Sequence, residues 1–266
     1  MRKCVLLTVI ITVIITLMSA ATSQAMTILI DQSNRLPPAD TGGAAIVTWF
    51  EETFPNATVI VGNFDDPSGR PESRTAIEAA DVLVINRRTN SGGYDAADGV
   101  YYSNLPIPVV FLTSYVTRSS ITAFEGGMNA GVGVGGAETT VTVAGEAVFD
   151  VPVGAYDWYT VGFDTLGTGS VGTGKILATI AENNLAVVWD VGDTDGSGRE
   201  QAGRRLLYNV NAINGGVDAV LPDTAAGLQA FTTAVKAFIG QEDIPWQSST
   251  TLRRPISPEQ PMWLVH

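Results

Sequence analysis

The chain has 266 residues, with 15 Lys and Arg against 27 Asp and Glu, a net charge of −12, one cysteine and one histidine. Those two are Cys4 and His266, so across the body of the chain neither a Ser–His or Cys–His nucleophilic pair nor a His/thiolate zinc set can be assembled. Beyond residue 25 there are 13 basic and 27 acidic residues, a net charge of −14, and the lysines are Lys175 and Lys236 alone. Phosphate-backbone binding needs clustered cations, which excludes nucleic acid as a partner.

The first element is an export signal. Arg2 and Lys3 give a positive start, and Val5 to Met18 is an apolar run of 14 residues broken only by Thr8, Thr12 and Thr16. Ser23-Gln24-Ala25 then ends in the small-x-small pattern of a cleavage site. Spanning a bilayer takes about 20 apolar residues, so the run is too short for an anchor. The expectation is a signal peptide over 1–25 and a bacterial protein that is secreted or periplasmic, with no membrane segment after cleavage. Without disulfides the mature chain must be held by its own core, which about 240 residues can build.

The first half alternates short apolar runs with helical stretches, the pattern of a parallel sheet covered by helices. Strands are predicted at Thr27–Ile30, Thr58–Val61, Asp81–Ile85 and Pro108–Leu112, the last two as continuous apolar runs of the kind buried on both faces. Helices are predicted over Gly43–Phe54, where Ile46, Phe50 and Phe54 share a face, over Glu72–Ala80, over Asp95–Asn104 and within Val116–Phe124. From Gly126 the pattern becomes glycine-rich. Thr139–Val143 and Ala147–Val151 alternate at period two and read as antiparallel strands of a small insertion. Ile176–Ile180 and Leu185–Val191 read as two more, joined by the turn Glu182-Asn183-Asn184. Two closing helices are predicted, Arg199–Ile213 and Asp223–Ile239, the second with Asp223 as N-cap. The fold class is therefore α/β, a three-layer sandwich around a mostly parallel sheet with a small antiparallel β insertion, over residues 26–240. Residues 241–266 read as a linker, with Pro245, Pro255 and Pro258, followed by the truncated start of a further domain at Met262.

Two resemblances follow from these residues. Ala80-Asp81-Val82-Leu83-Val84-Ile85-Asn86-Arg87-Arg88 and its continuation to Gly92, with Pro108 to Tyr115 and Gly203 to Tyr208, resembles the class I glutamine amidotransferase-like, flavodoxin-related domains. In catalytic members a nucleophilic Cys stands on the turn after the strand matching Val109–Leu112, with His and Glu farther on. Here that turn carries Thr113-Ser114-Tyr115, and no His is available, so the resemblance implies the fold without the amidotransferase activity. Arg254 to His266 is similar to the opening of the catalytic barrel of glycoside hydrolase family 98, secreted enzymes that cut galactose-containing glycans. That resemblance implies a following catalytic domain in the same chain as partner, with His266 at the barrel rim and glycans as the substrate class. The paired carboxylates of such an enzyme would lie beyond His266.

In open α/β sheets ligands bind outside the carboxyl ends of the strands. Arg87, Thr89, Asn90, Ser91 and Tyr94 after one buried strand, with Ser114, Tyr115 and Arg118 after the next, form a candidate ligand pocket suited to a carboxylate or sugar hydroxyls. The alternative reading pairs Arg87 and Arg118 with nearby acids such as Asp95 and Glu125. Ser114 occupies an elbow position, but its base would have to be a carboxylate or Lys175. Asp193, Asp195 and Ser197 begin like a calcium loop with Gly198 at position six, yet position twelve is Arg204. Asp150, Asp157 and Asp164 read as turn residues. Tyr156, Trp158 and Tyr159 read either as a sugar-stacking row or as core of the β insertion. No cofactor motif is present, and no catalytic residue is assigned.

Overall fold

In the computed structural model the described residues are 25–32, 41–86, 93–125, 132–134, 138–160, 163–165, 169–209 and 221–240. The strands are β1 (Thr27–Asp31), β2 (Thr58–Gly62), β3 (Val82–Ile85), β4 (Val109–Phe111), β5 (Val132–Val134), β6 (Thr139–Val141), β7 (Gly154–Tyr156), β8 (Phe163–Thr165), β9 (Lys175–Ile180), β10 (Asn183–Trp189) and β11 (Arg205–Tyr208). The helices are α1 (Thr41–Thr53), α2 (Pro71–Glu78), α3 (Ala96–Asn104), α4 (Ser114–Thr117), α5 (Val143–Phe149) and α6 (Ala225–Ile239). Nine strands form one sheet in the order β2-β1-β3-β4-β11-β10-β9-β6-β7, and β5 pairs with β8 in a separate ribbon. From β2 to β11 neighbours are parallel, and from β11 to β7 they are antiparallel.

Alternation along the strands sends side chains to two cores, as a doubly covered sheet requires. Ile28, Ile30, Val82, Val84, Val110, Leu206 and Tyr208 face one layer with Trp49 and Phe50 of α1, Phe149 of α5 and Phe231 of α6. Leu29, Leu83, Ile85, Val109, Phe111 and Leu207 face the other, with Ile77 of α2, Tyr102 of α3 and Val116 of α4. The fold is thus a three-layer α/β sandwich, and its antiparallel part continues the main sheet. Among the described residues no helix is long and apolar enough to cross a membrane.

Local chemistry explains most boundaries. Pro71 opens α2 at a position where its missing N–H costs nothing. Asp95 caps α3 in a reciprocal box with Asp98. Ala181 and Glu182, at φ 45° and 67°, make a two-residue hairpin turn between β9 and β10. Asn183 and Asn184, expected in that turn, belong to β10 and are buried.

Three expectations are corrected. Ala147–Val151 is not a strand: Thr142 accepts the Gly145 N–H, Asp150 closes the segment at φ 56°, and a helix results. Gly145 allows that helix to lie on β9, because a Cβ there would stand 2.0 Å from the Leu177 carbonyl oxygen. The N-cap of α6 is Thr224, not Asp223, whose carboxylate instead accepts from the Thr160 backbone (2.7 Å) and hydroxyl. The helix expected over Arg199–Ile213 is replaced through residue 209 by a loop and β11, while 210–213 lie outside the described residues. Leu206 and Leu207 face opposite cores, which only an extended chain allows.

β11 also brings in a fully buried Arg205. Its guanidinium donates to the carbonyls of Tyr102, Leu105 (2.7 Å), Ile107 (3.0 Å) and Arg204 (2.8 Å). Two of these lie at the C-terminal end of α3, where carbonyls lack helical partners and a cation is favoured. Burial without a carboxylate pushes the Arg205 pKa down to about 9. Arg205→Met removes every one of these donors and strands the carbonyls. It is expected to lower unfolding free energy by about 3 kcal/mol or more, measured by urea denaturation, whereas a loss under about 1 kcal/mol would show the carbonyls find other donors.

Candidate functional site

The carboxyl ends of the parallel strands carry a row of buried polar side chains: Asp31 as the last residue of β1, Asn86 after β3, Thr113 and Ser114 after β4, and Asn209 after β11. Asp31 accepts from the Phe64 N–H (2.8 Å) and from the Tyr94 hydroxyl. Thr113 is extended and caps the short α4 by accepting from the Tyr115 N–H, while the Ser114 N–H donates to Asn209 Oδ1 at 3.2 Å. Asn86 Oδ1 and Nδ2 and Ser114 Oγ are buried without hydrogen-bond partners.

Ser114 therefore stands at the position where an elbow nucleophile is expected, but not in the state of one. It is 0 % exposed. The described non-glycine residues with positive φ are Asp66, Ala123, Asp150, Ala181 and Glu182, so Ser114 lacks the strained turn that presents a nucleophile. No base touches its Oγ. Lys175, considered as a substitute base, is ion-paired to Asp190 at 2.9 Å.

The other predicted site residues separate. Tyr94 is buried against Asp31. Tyr115 and Arg118 are half-buried, with the Arg118 guanidinium 5.9 Å from the centre of the Tyr115 ring. Arg87, Thr89, Asn90, Ser91 and His266 lie outside the described residues. The acids offered as arginine partners have other work: Asp95 caps α3, and Glu125 meets the neutral donors Thr117 (2.7 Å) and Asn184 (3.1 Å). Trp158 and Tyr159 are core residues, Trp158 packing edge-on to Phe149 at 5.0 Å, and only Tyr156 of the aromatic row keeps partial exposure.

The calcium-like loop supplies its own donors. Asp195 Oδ1 accepts from the Ser197 N–H (2.9 Å), the Ser197 hydroxyl (2.7 Å) and the Arg199 N–H (3.0 Å), and Arg199 Nε reaches Oδ2 at 2.8 Å. Asp193 accepts from the Asp190 N–H at 2.8 Å and from the Thr173 hydroxyl at 3.2 Å. Amides, hydroxyls and a guanidinium thus bond the carboxylate oxygens of Asp193 and Asp195, the arrangement of a self-bonded turn. A cleft of about 140 Å³ lined by Asp66, Gly93, Tyr94, Asp95 and Asp98 is acidic, but its carboxylates are likewise held by backbone amides. Among the described residues no group of three metal-capable side chains converges.

Sequence reasoning passed over Asp31, Asn86 and Asn209. Asp31 and Asn86 each end an apolar run, and that position was their signal; Asn209 was hidden by assigning its segment to a helix.

No family model matches the chain, and no curated protein matches it. Among solved structures, a ThuA-like protein from Bacteroides uniformis superposes with a TM-score of 0.47 at 12% identity, covering 82% of this chain and 95% of its own. The glutaminase domain of Trypanosoma brucei CTPS with bound acivicin superposes with a TM-score of 0.45 at 11% identity, covering 84% and 96%. These are similarities of overall fold.

Because Ser114 Oγ makes no bond, its removal forfeits none. Ser114→Ala is expected to keep or slightly raise the melting temperature; a loss above about 1 kcal/mol would expose a partner for the hydroxyl.

Proposed function

We propose that residues 26–240 form a non-catalytic, exported α/β accessory module in a carbohydrate-active protein. The observation that carries the non-catalytic half is Ser114: sealed from solvent, in an ordinary backbone conformation, and without a base at its Oγ. Acyl transfer needs an exposed nucleophile, a positioned base and oxyanion donors together. The carbohydrate half rests on the likeness of Arg254 to His266 to the opening of a family 98 glycosidase barrel, and export rests on the leader of residues 1–25.

The full chain is expected to hydrolyse neither glutamine nor simple esters, and a fluorophosphonate probe is expected to leave Ser114 unlabelled. Turnover that Ser114→Ala abolishes, or labelling at Ser114, overturns the non-catalytic reading. For export, the protein recovered from the periplasm or medium is expected to begin at Met26 by N-terminal sequencing; retention in the cytoplasm with residues 1–25 attached counts against it. On a galactoside array, binding supports the carbohydrate role and silence reduces the module to a spacer.

A further inference from the structure

We infer that Glu125 is a proton-operated latch: neutral, its carboxyl ties the excursion that follows β4 to the start of β10, and ionised, it releases that excursion. This goes beyond the proposed accessory role and does not depend on it.

The excursion runs from Thr113 through α4 to Glu125 and is closed on itself by backbone bonds, Glu125 N–H to the Thr117 carbonyl at 2.9 Å and Thr122 N–H to the Val116 carbonyl at 3.2 Å. Glu125 is fully buried where this segment meets β10. One carboxyl oxygen lies 2.7 Å from Thr117 Oγ1, and the other 3.1 Å from Asn184 Nδ2, which also donates to the Gly169 carbonyl at 3.2 Å. Thr117 Oγ1 in turn lies 3.2 Å from the Ser114 carbonyl.

That geometry suits a neutral acid. The protonated oxygen donates to Thr117 Oγ1, the threonine hydroxyl donates onward to the Ser114 carbonyl, and Asn184 donates to the remaining carbonyl oxygen, so every group is satisfied. The ionised form keeps two neutral donors, and among the described residues no cation pairs with it to offset its desolvation. The charged groups on the surrounding elements are committed elsewhere or point away. Arg118, on the excursion itself, lies over the Tyr115 ring. Arg199, from the loop before β11, sits over the Phe124 ring and pairs with Asp195. Glu182, in the β9–β10 turn, is exposed. None bonds to the Glu125 carboxyl. Burial accordingly pushes its pKa up to about 7, above its ordinary value of 4.5.

The sign follows from linkage. A carboxyl whose folded pKa is raised contributes stability that is complete below the unfolded value near 4.5 and is lost as pH rises through about 7. Opening of the segment therefore becomes easier by about tenfold between pH 6 and pH 8 and levels off above that.

The experiment is hydrogen exchange of the full chain, corrected for intrinsic rates, over residues 115–125 between pH 6 and pH 8. Wild type is expected to lose protection about tenfold, and Glu125→Gln to change by less than about twofold, since the amide keeps both contacts without a charge. Flat wild-type protection, or an equal loss in Glu125→Gln, overturns the latch. Should Glu125→Gln fail to fold, infrared titration of the wild type with 13C-labelled glutamate decides. A protonated-carboxyl band that disappears near neutral pH upholds the latch, and its absence at pH 6 overturns it.

Discussion

The sandwich depends on a cation that has no anion. Arg205 enters the sheet on β11 and directs its guanidinium at four backbone carbonyls, those of Tyr102, Leu105, Ile107 and Arg204, joining the end of α3 to the approach to β4. Backbone carbonyls buried at a helix end must find donors. A planar five-donor group answers several at once, which an ammonium could not. Gly203 makes the approach possible, because a Cβ there would stand 2.6 Å from the Leu105 oxygen and 2.8 Å from Arg205 itself. The contact lies on β11, the strand at which the sheet changes from parallel to antiparallel pairing.

The same economy governs the acids. In a chain so short of cations, carboxylates are satisfied mainly by amides and hydroxyls: Asp31 by Phe64 and Tyr94, Asp98 by Ser68 and Asp95, Glu125 by Thr117 and Asn184. The loop before β11 departs from the rule at Asp190, which pairs with Lys175, and at Asp195, where Arg199 joins the amides and also reaches the Thr122 carbonyl. Neutral donors stabilise a buried carboxylate less than a cation does. Glu125, fully buried and met by neutral groups alone, is accordingly the carboxyl whose pKa burial pushes up to about 7.

At the carboxyl ends of the parallel strands the polar side chains are buried rather than presented to solvent. Thr113 and Ser114 end a central parallel strand and open a helix, the geometry that elsewhere presents a nucleophile, but Ser114 faces inward and its amide is held by Asn209. Asn86 spends no side-chain bond on the fold. Orphaned polar atoms of this kind cost stability and mark a place where packing has not been optimised for folding alone.

The sequence alone determined what local forces decide. Buried strands appear as apolar runs at Val82–Ile85 and Val109–Phe111, α3 begins at its Asp95 cap, and the missing histidine removes common nucleophilic chemistry from the body of the chain. Tertiary structure decided whatever depends on distant partners. Leu206 and Leu207 fit a helix or a strand until two opposite cores claim them, and Val148 and Phe149 fit a strand until the close contact of Gly145 with β9 sets them on a helix. Asp195 looks like a cation ligand until Arg199 folds back on it. Periodicity reports which residues are apolar, but not what will face them, and for a charged side chain its counterpart is the whole of its chemistry.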